Sequence, residues 1–89
     1  MLPEHLHAFF WDINPRTFDP AAYPDYTIAR ILEYGDHRAF DWLRDQFSEA
    51  EIERVLRTER RLSRRSASFW ALVYRVPPGE VAALDPRFQ

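Results

Sequence analysis

Residues Asp36 to Tyr74 read DHRAFDWLRDQFSEAEIERVLRTERRLSRRSASFWALVY, and this stretch decides the fold. Three helix starts are written into it. Asp36 has the short polar side chain of an N-cap, able to accept from a backbone N–H of the first turn. Ser48 followed by Glu51 has the spacing of a capping box, in which serine and glutamate each satisfy the other's backbone donor. Ser63 is the third cap. Behind each cap the apolar residues recur at three- and four-residue spacing, the period of a helix face. They are Ala39, Phe40, Trp42, Leu43 and Phe47 in the first segment, and Ile52, Val55 and Leu56 in the second. The sequence predicts helices from Asp36, from Ser48 to about Arg60, and from Arg64 to about Tyr74. The last differs in kind. Phe69, Trp70, Leu72, Val73 and Tyr74 leave it apolar nearly all round, so it is either the central core helix or partly covered by a partner.

Working outward, Pro24 or Asp25 opens an earlier helix carrying Ile28, Ile31 and Leu32, which Gly35 is expected to stop in the left-handed conformation. Before it, Pro3 starts a helical turn through Phe9 or Phe10. Asn14-Pro15 marks a turn, because the residue before proline avoids the helical region, and Asp19-Pro20 marks one short helical turn. After Tyr74, Pro77-Pro78-Gly79 ends the region, Glu80 to Leu84 makes one last turn, and residues 85–89 fray. No strand alternation, internal repeat or glycine-rich loop is present. The expected fold is all-α: a compact bundle of four to five short helices in a single domain spanning 1–89, with its core at about 3–84.

Composition narrows the function classes. The 89 residues leave room for one core, and the absence of cysteine removes disulfides, thiolate metal sites and cysteine nucleophiles. Seven Phe, four Tyr and three Trp supply the bulk such a short chain needs. The start MLPEHLH has no basic and apolar leader pattern, and the apolar run Phe69 to Tyr74 falls far short of the ~20 residues that span a bilayer. The expected compartment is the cytoplasm.

Chemistry-bearing residues are accounted for largely by folding. His5 and His7 stand on different faces of any helix and His37 is remote, so no metal site is expected. Asp41 and Asp45 share a helix face and Glu49, Glu51 and Glu53 cluster at a helix start. Arginines at helical spacing (Arg38 with Asp41, Glu51 with Arg54, Glu53 with Arg57) make surface ion pairs the plain expectation. Ser48 and Ser63 serve as caps, and Ser66 and Ser68 lack the glycines of a nucleophile elbow. Neither catalysis nor a cofactor is expected.

What folding does not absorb is charge placement. All twelve basic residues are arginine, and the net charge is −2. Arg54, Arg57, Arg60, Arg61, Arg64 and Arg65 share one window with a single acid, Glu59, giving +5 there and −7 elsewhere. Arg54, Arg57 and Arg61 are expected along one side of the third helix, with Arg64 and Arg65 at the start of the fourth. Helix, short connection, helix with arginines at the second start has the outline of a helix-turn-helix, which would put this patch on DNA. An acidic protein surface fits it as well, and so does a solvated face. Phe9-Phe10-Trp11-Asp12 adds three consecutive aromatics that cannot all point inward. Either two of them plug the bundle end, or one remains exposed as a binding anchor, with Trp11 and Trp70 the anchor candidates.

The blocks FFWD at Phe9–Asp12, IARILEYGD at Ile28–Asp36, Trp42-Leu43, and RLSRRSASFWAL at Arg61–Leu72 resemble a family of short uncharacterised bacterial and archaeal proteins. There an FFWD-type start, an ILEYGD block and an RLSxxSxxFWAL block recur in this order, and the resemblance runs from about Leu2 to Val81. Members tend to be encoded beside nucleotidyltransferase-like toxins of the abortive-infection type. The resemblance therefore implies an antitoxin-like protein that binds and restrains such an enzyme. It brings no catalytic or binding residues with it. Many relatives carry proline where this chain has Arg64, so the arginine window is stronger here than is typical.

Overall fold

Three of the four long helices open on a side-chain cap, and the first opens on Pro24 with no side-chain cap. A computed structural model describes residues 2–88; where residues 85–89 were expected to fray, Pro86–Phe88 instead form a 3-10 turn, and Gln89 lies outside the described residues. After a 3-10 turn at Glu4–Phe9 come α1 (Pro24–Tyr34), α2 (His37–Gln46), α3 (Glu49–Thr58) and α4 (Arg64–Tyr74). Three further 3-10 turns, Pro78–Glu80, Ala82–Leu84 and Pro86–Phe88, close the chain. No strand occurs among the described residues. The fold is all-α.

Asp36 accepts from the Ala39 N–H, Ser48 and Glu51 complete their capping box, and Ser63 accepts from the Ser66 N–H. The turns at Asn14 and Asp19 also form, each closed by a carboxylate or amide oxygen on a backbone N–H two residues on. Gly35 departs from expectation. It is extended, with φ −69° and ψ 159°. The reason for a glycine is space: a Cβ there would lie 2.6 Å from the Ile31 carbonyl oxygen and 2.9 Å from Ile31 Cγ2. The left-handed residue is Arg75, at φ 56° and ψ 40°. It ends α4 in a Schellman motif, the Val76 N–H reaching the Ala71 carbonyl and the Arg75 N–H the Leu72 carbonyl.

α1 lies against α2, α3 and α4, and the Ala82–Leu84 turn closes over α3 and α4. Leu6, Phe10, Ile28, Ile31, Leu43, Ile52, Val55 and Leu56 are fully buried between them. Burying each of the larger side chains contributes roughly 1.5–3 kcal/mol, the main favourable term in so small a domain. Phe10 and the half-buried Phe9 join this core while Trp11 stays outside, so the aromatic triplet divides two in, one out.

The end of α1 and the start of α4 satisfy one another. The Glu33 carboxylate accepts from the Ser63 N–H at 2.6 Å and from the Ser66 hydroxyl at 2.9 Å. In return the Trp70 indole N–H donates to the Leu32 carbonyl at 2.8 Å, one of the carbonyls the end of α1 leaves without a helical partner. The carboxylate sits at the positive end of the α4 dipole, where negative charge is stabilising.

Candidate functional site

The arginine window does not form a single patch. α3 stops at Thr58 and the chain turns extended at Glu59, so Arg61 leaves the helix instead of continuing the line of Arg54 and Arg57. Glu59 holds it there, accepting from the Arg61 backbone N–H at 3.1 Å and from Nε at 2.9 Å. The Arg61 hydrogen bond also keeps the Glu59 carboxyl below its ordinary value. Arg54 reaches across to Asp25, 2.7 Å away, and lowers that carboxyl in the same way. Its expected helical partner, Glu51, is engaged in the capping box. Arg57 pairs with Glu53, as expected, and with Glu80. Arg38 and Asp41 make no ion pair among the described residues. Arg60, Arg64 and Arg65 are exposed. Arg54, Arg57 and Arg61 are thus answered by acids at the protein's own surface.

Trp70 is likewise held in the fold. Besides its bond to Leu32, its ring lies 4.4 Å from Phe40 and edge-on to Phe69 at 4.9 Å. It packs between α1, α2 and α4 and joins the core rather than standing free as an anchor.

Trp11 is different. It is 62% exposed, and its ring meets that of Tyr34, 51% exposed, edge to face at 4.9 Å. Beneath them lies Arg30, whose guanidinium carbon is 4.6 Å from the Trp11 ring centroid, 4.9 Å from Tyr26 and 5.7 Å from Tyr34. Its Nη2 donates to Asp12 at 2.5 Å and to the Tyr26 hydroxyl at 2.7 Å, and Tyr26 donates to Asp12 at 2.9 Å. Partial desolvation pushes the Asp12 carboxyl up, but the bonds from Tyr26 and Arg30 outweigh it and hold the carboxyl below its ordinary value. Tyr26 is pushed up, by desolvation first and by its carboxylate partner second. A cation enclosed by rings and fixed by a carboxylate is rigid, and it fixes the rings in turn.

Trp11, Tyr26, Arg30 and Tyr34 line a groove of about 250 Å³ together with Glu33, Glu59, Arg61 and Leu62. The fold therefore brings Trp11 and Arg61, fifty positions apart in sequence, to one place. Arg30, Tyr26 and Tyr34 are residues that sequence reasoning missed. Their signal was available: they stand at four-residue spacing on one helix.

A second surface lies on α4. Ala67 and Ala71 face the core, whereas Phe69, Leu72 and Val73 are 55%, 79% and 49% exposed. Beside Leu72 is a notch of about 250 Å³ lined by Ser68, Ala71, Val76, Pro78 and Leu84, with Arg64 at its rim.

Among the described residues no three His, Asp or Glu side chains gather as metal ligands, and no helix is long and apolar enough to cross a membrane. Against known proteins, residues 6–56 match the model of a family of unknown function, DUF6922. That is more than half of the chain, and the chain belongs to this family. The matched segment carries Trp11, Asp12, Tyr26, Arg30, Tyr34 and Arg54; Arg57 to Arg65 and all of α4 lie beyond it. No curated protein and no solved structure matches the chain.

Proposed function

We propose that this member of a family of unknown function is a non-enzymatic protein-interaction module that grips its partner at the groove between Trp11, Tyr34 and Arg61. One observation carries it: two half-exposed aromatics stand edge to face over an enclosed arginine, in a groove that also holds Arg61. Tryptophan, tyrosine and arginine are the residues over-represented among interface hot spots, where a preordered anchor loses little side-chain entropy on binding. The pairing of Asp12, Asp25, Glu53 and Glu59 with arginines, and the use of Ser48 and Ser63 as caps, supports a binding role over catalysis.

The finer version is antitoxin-like: the groove and the arginines around it close off the acidic cleft of a nucleotidyltransferase-type toxin. The FFWD, ILEYGD and RLSRRSASFWAL blocks support that partner class. Metal-dependent nucleotidyl transfer concentrates carboxylates in its site, to which guanidinium groups are complementary. Co-expression with a nucleotidyltransferase encoded beside this chain, followed by co-purification, tests it. Trp11→Ala together with Arg61→Glu is expected to lower copurified enzyme at least about tenfold, the loss of a hot-spot pair. A double variant that binds and neutralises like the parent overturns the proposal.

The rival, DNA binding through α3 and α4, draws on the exposed Arg64 and Arg65 at the start of α4. The outward Phe69, Leu72 and Val73 favour a protein surface over base edges. DNA binding requires a gel shift at low salt that weakens steeply as salt rises.

A further inference from the structure

The α4 face shares no residue with the groove around Trp11, so what it binds is a separate question. Its outward stripe runs Arg65, Ser68, Phe69, Leu72, Val73 and then Arg75, all exposed. No Asp or Glu occurs anywhere from Arg60 to Gly79, a run that carries five arginines. The acids that the fold brings to its borders are already occupied: Glu33 with Ser63 and Ser66, Glu80 with Arg57, and Asp85 with Arg87. The guanidinium groups of Arg65 and Arg75 have no hydrogen bond or ion pair among the described residues. The result is an apolar centre with a cation at each end.

That charge pattern selects the occupant. A second copy laid antiparallel on α4 would bring Arg65 against the other copy's Arg75, and laid parallel it would bring like to like. Either arrangement opposes arginine to arginine, which is repulsive at contact. We infer that the α4 face docks an amphipathic helical segment of another protein, apolar at its centre and acidic at both ends. Its carboxylates meet Arg65 and Arg75, and its apolar side chains cover Phe69, Leu72 and Val73. One apolar side chain enters the notch between Leu72 and Leu84. α4 is about 16 Å long, so a segment of about three turns spans it. Recognition is of the helix-on-helix kind, with anchors at three- and four-residue spacing.

The probe is a synthetic leucine-centred helical peptide of about twelve to fifteen residues, made with glutamates at both ends and again with lysines there. Each is labelled and titrated with the full chain, following anisotropy. The glutamate-ended peptide is expected to bind roughly tenfold or more tightly than the lysine-ended one, a difference that added salt erodes. Leu72→Glu, at a position too exposed to affect folding, is expected to remove binding. Arg65→Glu with Arg75→Glu is expected to reverse the preference between peptides, while Trp11→Ala leaves it unchanged. The last variant separates this surface from the groove, so either can fail alone. Equal binding of the two peptides, or of neither, overturns the inference. So does a solution mass of two chains that Leu72→Glu returns to one, which would assign the face to a second copy. Tighter binding of duplex DNA than of the acidic peptide, lost with Arg65→Glu, would assign it to nucleic acid.

Discussion

α3 and α4 are neighbours of nearly equal length, each opened by a serine cap, yet they are built into the molecule in opposite ways. α3 turns Ile52, Val55 and Leu56 wholly inward and its glutamates and arginines outward. α4 turns two alanines and the half-buried Trp70 and Tyr74 inward, and its bulky Phe69, Leu72 and Val73 outward. The first is held by apolar burial. The second is held by close approach of small residues and by directional bonds at both ends: Glu33 and Trp70 tie it to α1, and the Arg75 turn closes it. A helix anchored in this way leaves Phe69, Leu72 and Val73 available for another molecule.

Four measurements would break or sharpen that contrast. Leu56→Ala, in the wall that α3 gives the core, is expected to cost about 2–5 kcal/mol by chemical denaturation, through lost transfer energy and an unfilled cavity. Trp70→Phe keeps most of the ring and removes the donor to Leu32. It is expected to cost about 1–2 kcal/mol, the size of one hydrogen bond with an acceptor left wanting. An effect as large as that of Leu56→Ala would mean that α4 too is held mainly by burial.

The third concerns pH. Burial first, and the nearby Glu49 carboxylate second, raise the Tyr74 phenol from 10.0 to about 12. The fold therefore keeps a proton that the unfolded chain releases, so stability is intact below pH 10 and falls between pH 10 and about 12. Tyr74→Phe is expected to flatten that part of the stability profile. Smallest of all, Leu72→Ala is expected to change stability by no more than about 0.5 kcal/mol, as at other exposed positions. A loss beyond about 2 kcal/mol would show that the outward face of α4 is covered by its own chain.

Much of this architecture is legible in the sequence because helix ends are local events. Asp36, Ser48 with Glu51, and Ser63 cap because the groups they satisfy lie three residues away. What escapes such reading depends on the tertiary fold. Gly35 has the position of a helix stop, but its requirement comes from the Ile31 carbonyl and the Ile31 and Ala39 side chains pressed against it. Arg54 has a glutamate at helical distance and chooses Asp25, twenty-nine residues away. Arg61 would extend the α3 stripe had Glu59 not drawn it off the helix. Of the candidate site, Trp11 and Arg61 were visible as types but not as neighbours. Trp70 was visible as an exposed-looking aromatic, and only its bond to Leu32 shows why it is turned inward.

The reciprocal joint between α1 and α4 constrains where this chain can be lengthened. The connection at residues 59–63 has the sequence of an ordinary surface loop, the usual place for an insertion. Here its backbone is fastened twice, the Arg61 N–H to Glu59 and the Ser63 N–H to Glu33. An added residue would slide Ser63 off Glu33 and uncouple the two helices. The turn at Asn14–Phe18 is closed by bonds within itself among the described residues and is the better site for a tag or a graft.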